Sequence, residues 1–209
     1  MAKPVRSKAP RTTTRHAPEV RRTLVLEAAA RLIADEGLLA ATMRRIADAA
    51  GISLGTLTHH FASVDDLLAQ ALEFASIRFT DALLGKGAKG SGLLRLHALC
   101  RAVVPDDVEA VRQWRLWIQF WSRAVYDPEL TRTHDRRYRA WHATVEELIE
   151  AGIEDGSLRT DLKKKNVTEN LVAVVDGVCF QVALKGGGMT SAQGLRIIKR
   201  AIDELRAPA

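Results

Sequence analysis

From about Val20 onward, apolar residues recur at intervals of three and four, the spacing of one face of an α-helix, with no strand-like alternation. Residues 64–84 read as one long helix, with Asp65 and Asp66 favourably placed in its first turn. A loop holding Gly85, Gly87, Gly90 and Gly92 ends it. Helices follow at 93–104, stopped by Pro105, and at 107–125, stopped near Asp127 and Pro128. The stretch 129–155 ends at Gly156, and 163–185 ends in Gly186, Gly187 and Gly188. The last helix, 191–205, has Ser191 as its expected cap. No strand precedes the triple glycine, so it reads as a helix stop and not as a phosphate-cradling loop. The pattern predicts an all-α chain without internal repeats.

The most informative stretch is 42–61, TMRRIADAAGISLGTLTHHF. Thr42 can cap a short helix on which Ile46, Ala47 and Ala50 share one face. Gly51 suits the left-handed backbone that ends a helix. Ser53 can then cap a second helix over about 54–61. On it Leu54, Leu57 and Phe61 are expected to face inward, Gly55, Thr56 and His59 outward, with Thr58 and His60 on the flanks. Two short helices about a tight turn form the layout of a DNA-reading helix-turn-helix, and a face of small, hydrogen-bonding side chains can reach base edges in a major groove. An ordinary helical hairpin shares the hydrophobic pattern. The caps, the turn glycine and the small outward face together favour DNA. Thr42, Arg44 and Arg45 are placed for phosphate, Gly55, Thr56 and His59 for base edges, and Ser53, Thr58 and His60 complete the expected contact surface.

At these residues the chain resembles the TetR family of bacterial regulators. The family's usual run is present as Thr42, Ile46-Ala47, Ala50-Gly51, Ile52-Ser53, Gly55 and His60-Phe61, preceded by Ala28-Ala29, Leu32-Ile33 and Glu36-Gly37. The motif-bearing likeness covers roughly residues 20–75. Two positions depart from it. Thr58 stands where most members have a phosphate-contacting tyrosine, and Val64 where a lysine usually does the same. The threonine hydroxyl can still donate to phosphate, whereas Val64 removes a charge.

Charge distribution bears on that loss. The chain carries net charge +6. Lys3, Arg6, Lys8, Arg11, Arg15, Arg21 and Arg22 against Glu19 supply all of it within residues 1–22. The segment is rich in Pro, Thr and Ala and has no hydrophobic periodicity, so it is expected to be disordered in the free protein. Such an arm can lie along phosphates or enter a minor groove; the plainer reading is a solvated tail. Deleting 1–17 is expected to weaken DNA binding and flatten its salt dependence.

At 209 residues, 47% of them hydrophobic, the chain can build one or two domains with a real core. No stretch approaches a membrane span, and no apolar secretory segment follows the basic start, so a cytoplasmic protein, nucleoid-associated when on DNA, is expected. Cys100 and Cys179 are widely separated and read as reduced core residues. His59 and His60 point to different sides of a helix and make poor joint metal ligands. No carboxylate dyad, nucleophile–base pair or metal cluster is evident; neither enzymatic activity nor a cofactor is expected.

In the C-terminal part, RLWIQFWSRAVYDPELT at 115–131 and DGVCFQVAL at 176–184 resemble the choline and betaine regulator branch of the same family, the BetI-like type. That branch often has a small hydroxyl residue where Thr58 stands. The resemblance implies a homodimer whose four-helix bundle comes from about 136–155 and 163–185. The second of these carries Leu171, Val172, Val174, Val175, Val178, Cys179, Phe180 and Val182, apolar on more than one face. Trp114, Trp117 and Trp121 fall on one helix face, with Phe120 adjacent and Trp141 elsewhere. An aromatic stripe of this kind either packs a core or offers ring faces to a cation, and a choline-like effector would suit the branch. Arg78, His97, Gln119, Asp176, Phe180 and Gln181 join it as candidate pocket residues.

The expectation is an all-α regulator: a basic arm at 1–17, a helix-turn-helix domain at 18–66, and a helical ligand-binding and dimerisation domain at 67–209. Its expected partners are a palindromic double-stranded DNA operator, a second copy of the chain and a small-molecule effector, with no membrane. Repression relieved by ligand is the favoured mode. A DNA-binding architectural protein without small-molecule input remains the alternative.

Overall fold

The computed structural model describes residues 18–84, 89–184 and 188–208, so the arm expected at 1–17 lies outside the described residues. The helices are α1 (Pro18–Glu36), α2 (Met43–Ala50), α3 (Leu54–His60), α4 (Val64–Leu84), α5 (Gly92–Val103), α6 (Val108–Ala124), α7 (Pro128–Glu154), α8 (Lys164–Ala183) and α9 (Ser191–Asp203), with a 3-10 turn at Leu38–Ala40. Extended pairing among the described residues is confined to one bridge, Leu158 to Arg206. The chain is therefore all-α. No helix among the described residues is long and apolar enough to cross a membrane.

Two helix starts differ from the sequence pattern. Gly92 does not belong to the preceding loop but opens α5, where Ser91 is the cap and accepts the Leu94 N–H at 3.4 Å. A Cβ at position 92 would lie 2.2 Å from the Gly152 nitrogen, so glycine is needed for α5 and α7 to cross backbone to backbone. The cap of α9 is Thr190 and not Ser191. Gln193, three residues on, returns its side chain to the Thr190 N–H at 2.8 Å, closing a capping box that selects the first of two adjacent hydroxyls. Ser191 instead donates to the Pro105 carbonyl at 2.6 Å.

Two apolar cores divide the molecule. The first is built from Val25, Leu26, Ala29 and Ile33 of α1, Ile46 and Ala47 of α2, Leu57 of α3, Phe61, and Leu67, Leu68, Ala71 and Leu72 of α4. Leu116, Phe120 and Ala124 of α6 belong to it as well, so α4 beyond residue 66 and one side of α6 pack with the N-terminal helices. The second core joins α5, α7, α8 and α9 through Leu96, Ile149, Val172, Cys179, Ile198 and Ile202, together with Trp114 of α6. Both cysteines are free and buried within it. Burial pushes the Cys100 thiol up to about 12 and raises that of Cys179 too, which leaves both unreactive. Both α6 and α7 serve the two cores: Trp117 and Trp121 of α6 pack against each, while α7 gives Leu130 to the first and Val145, Leu148 and Ile149 to the second.

Candidate nucleic-acid interface and ligand cavity

The helix-turn-helix is built as its caps require. Thr42 accepts the Arg45 N–H at 3.4 Å, and Gly51 closes α2 in the left-handed region at φ 69° and ψ 26°. Ser53 accepts the Thr56 N–H at 3.1 Å and shares a hydrogen bond with the Thr56 hydroxyl at 2.8 Å. Leu57 and Phe61 are buried as expected. Leu54 is not: at the open first turn of α3, ahead of the core that holds Leu57, it stays 38% exposed.

Ser53, Gly55, Thr58 and His59 are exposed along α3, and Thr56 and His60 are half-buried. Gly55 has no internal reason to be glycine: a Cβ there would meet only the Ser53 hydroxyl, at 4.0 Å. A helical glycine gives up about 1 kcal/mol relative to alanine, and nothing packed within the chain requires it here. The Thr58 hydroxyl donates to the Leu54 and Gly55 carbonyls, both at 3.2 Å, and must rotate to reach a phosphate. His59 and His60 set their rings edge to face at 5.5 Å. Of the two arginines on α2, Arg45 is turned back to Glu36, with one nitrogen 2.7 and 2.8 Å from the carboxylate oxygens. Exposed Arg44 makes no ion pair among the described residues.

In the second half, α5 to α8 enclose a cavity of about 70 Å³ of water-accessible space, well beyond the roughly 10–15 Å³ that one water needs. Trp114, Trp117 and Trp121 of α6 form one wall; His134, Arg137, Tyr138 and Trp141 of α7 form another; Val103, Val175 and Asp176 complete it. The tryptophan stripe is thus a cavity wall and core packing at once. Trp141, expected elsewhere, is brought in by α7, so all four tryptophans meet in this space. The Trp114 N–H donates to the Val103 carbonyl at 2.8 Å, and Trp114 and Trp121 stand edge to face at 6.0 Å. Along α7, His134 stacks on Tyr138 at 4.9 Å, and Tyr138 meets His142 at 4.7 Å.

The Tyr138 hydroxyl donates to Asp176 at 2.6 Å and ties α7 to α8. Burial raises the Asp176 carboxyl above the ordinary carboxylate range, while the Tyr138 hydrogen bond and the neighbouring His142 and His134 pull it down. Burial and the same hydrogen bond push the Tyr138 phenol up.

Several residues expected in the pocket lie elsewhere. His97 pairs with Asp203 at 3.0 Å between α5 and α9. Phe120 is on the other side of α6, in the N-terminal core. Gln119 and Phe180 are half-buried, Gln181 is exposed, and none of the three lines the cavity. Arg78 sits on α4, but its side chain falls outside the described residues. The residues missed, His134, Arg137, Tyr138 and Trp141, stand at i, i+3, i+4 and i+7, a helical stripe that the sequence did display.

A helix-turn-helix head with an open reading helix, joined through α6 to a helical domain around an aromatic cavity, defines a DNA-binding regulator with its own sensor. The chain belongs to the TetR family of bacterial regulators: residues 25–71 match the family described as "Bacterial regulatory proteins, tetR family", and residues 94–207 match "BetI-type transcriptional repressor, C-terminal". It is a transcriptional regulator and not an enzyme. The HTH-type transcriptional regulator BetI of Burkholderia cenocepacia is 28% identical over 191 residues, 90% of this chain and 95% of that protein. Its namesake from Burkholderia mallei is 26% identical over 91% of this chain and 95% of its own length. Among solved structures, a transcriptional regulator from Saccharomonospora viridis in complex with choline superposes with a TM-score of 0.85 at 24% identity, over 91% of this chain and all of that one. A regulator from Pseudomonas aeruginosa does so at 0.75 and 27% identity, over 91% and 92% of the two chains.

Proposed function

We propose that the protein is a homodimeric repressor that holds a palindromic operator and releases it when a small organic cation enters the aromatic cavity. The observation that carries this reading is the double role of α6. One face lines the cavity through Trp114, Trp117 and Trp121, and the other packs into the core of the DNA-reading head through Leu116 and Phe120. A cation suits the site because ring faces attract it and Asp176 supplies a counter-charge; the choline found in the Saccharomonospora viridis protein agrees with this.

Each α3 would enter a major groove, the two copies spaced by one DNA turn of roughly 34–36 Å. Gly55, Thr56 and His59 would face base edges. Thr42, Arg44, Ser53, Thr58 and His60 would serve the backbone, with Arg45 recruited from Glu36. The exposed apolar positions Ala173 and Gly177 of α8, Leu184 just beyond its end and Ile197 of α9, with half-buried Phe180 beside them, support a subunit interface on those two helices. The outward face of α7 carries Arg136, Arg139, Glu147 and Glu150 instead, which argues against its expected place in the bundle. Release follows if the effector favours one position of α6 over another; a ligand that bound both equally would shift nothing.

The test is to titrate choline into the purified protein alone and on its footprinted DNA site. A rise in melting temperature and loss of DNA binding over the same concentration range are expected. No thermal shift, together with DNA binding that ignores sequence, would mark an architectural protein and refute the proposal.

A further inference from the structure

We propose that the effector is a zwitterion, in which a quaternary ammonium sits among the tryptophans and a carboxylate a short linker away is held by Arg137. The inference rests on reading the cavity as the effector site. Two opposite charges line this one space. Asp176 enters from α8 and Arg137 from α7, yet no ion pair joins them among the described residues. Asp176 is held in place by the Tyr138 hydroxyl at 2.6 Å, one residue further along α7 than Arg137.

The other arginines of this region are accounted for differently. Arg115 donates to the Ala183 carbonyl at 3.2 Å, Arg136 reaches Glu73 at 3.7 Å, and Arg139 is exposed. Arg137 is half-buried in the cavity wall and has no carboxylate partner among the described residues. A guanidinium there repels a ligand that is only a cation, and the low dielectric of an aromatic box sharpens the repulsion. A carboxylate on the same ligand turns that repulsion into a paired, two-pronged hydrogen bond, the geometry a guanidinium favours. Trp121, on the α6 wall of the same cavity, also keeps its buried indole N–H without a partner. Separated charges of both signs around aromatic faces thus match a molecule with both charges better than a simple ammonium alcohol.

The experiment is isothermal titration of the full chain with two probes that share the trimethylammonium group: choline, which ends in an alcohol, and glycine betaine, which ends in a carboxylate. Wild type is expected to bind the carboxylate at least about tenfold more tightly, one charged hydrogen-bonding group's worth. Arg137→Gln is expected to bring the two affinities to within about twofold, chiefly by weakening the carboxylate. Arg137→Lys, which keeps the charge and loses the fork, should fall between. Equal or tighter binding of choline to wild type overturns the proposal and leaves the cation site standing, as does an affinity ratio untouched by Arg137→Gln. Failure of both probes to bind folded wild type overturns the cation site as well.

Discussion

Arg123, in the last turn of α6, reaches Asp65 in the first turn of α4, 58 residues away in the chain. A second pair does the same at the other end of α6, where Arg112 meets Asp35 of α1 at 2.8 Å. The sensor helix is therefore fastened to the DNA-reading head at two points eleven residues apart, or about 16 Å along a helix. Trp117 and Trp121 lie between those points. Both pairs are substantially exposed, so each contributes well under about 1 kcal/mol to stability. Their importance is geometric: Asp65 starts the helix that immediately follows α3.

Arg123→Ala should therefore leave the fold nearly as stable and the effector affinity of free protein within about twofold, while several-fold more effector is needed to release DNA. Paired measurements of calorimetric affinity and of DNA release by fluorescence anisotropy check this. The exchanged pair Arg123→Asp with Asp65→Arg should recover much of the coupling. An unchanged release midpoint in Arg123→Ala would show that the signal leaves α6 by its apolar face alone.

Gly55→Ala separates stability from function. The new methyl group has room, meeting only Ser53 Oγ at 4.0 Å, and alanine favours the helix by about 0.5–1 kcal/mol. The variant should melt slightly higher than wild type and bind the operator at least about tenfold more weakly, since the methyl stands where the groove must come close. Retained affinity would mean that α3 lies further from the bases than proposed.

The head was almost fully legible in the sequence because its signals are local. Thr42, Gly51 and Ser53 act within three or four residues of themselves, and each does in the structure what its type and position imply. Helix ends elsewhere fall within two residues of the expected ones for the same reason. The cavity was legible only in part. Periodicity placed Trp114, Trp117 and Trp121 on one face but says nothing of which neighbouring helix that face meets. Trp141 is 20 residues beyond Trp121 and joins it only through the turn and the antiparallel return of α7. Asp176 was found by type, whereas Phe180, one turn later, is rotated by about 40° and misses the space. Arg45 shows the opposite limit: its place on α2 suggests phosphate, but Glu36, nine residues earlier, already holds it in the free protein.

Trp141→Leu should test the aromatic box with little harm to the core, because Trp141 is half-buried and an apolar side chain is retained. Loss of one ring face is expected to weaken choline binding by roughly 5- to 30-fold, the range for a partly desolvated cation–π contact. Trp117→Leu should do the same and also lower the melting temperature, since Trp117 packs against both cores. Equal affinity in Trp141→Leu and wild type would place the ligand away from that wall.

Asp176 gives the effector response a pH dependence whose sign follows from its burial. Burial raises its folded-state pKa above the unfolded value of about 3.9. The favourable contribution of the neutral acid is thus complete below about pH 4 and is lost as pH rises through the raised pKa. Above that raised pKa the empty protein carries a buried carboxylate at some cost. Asp176→Asn keeps an acceptor for the Tyr138 hydroxyl and removes that charge. It should raise the neutral-pH melting temperature, by roughly 2–4 °C for each kcal/mol recovered, and the gain should vanish toward about pH 4. A cationic effector needs the ionised form, so wild-type affinity should fall on acidification through the raised pKa. In Asp176→Asn the affinity should be weaker above the raised pKa and its dependence on pH shallower. Melting curves and calorimetric titrations of both proteins between about pH 4.5 and 8 read out each half. A variant that melts lower at neutral pH, or a wild-type affinity indifferent to acid, would remove Asp176 from the role of counter-charge.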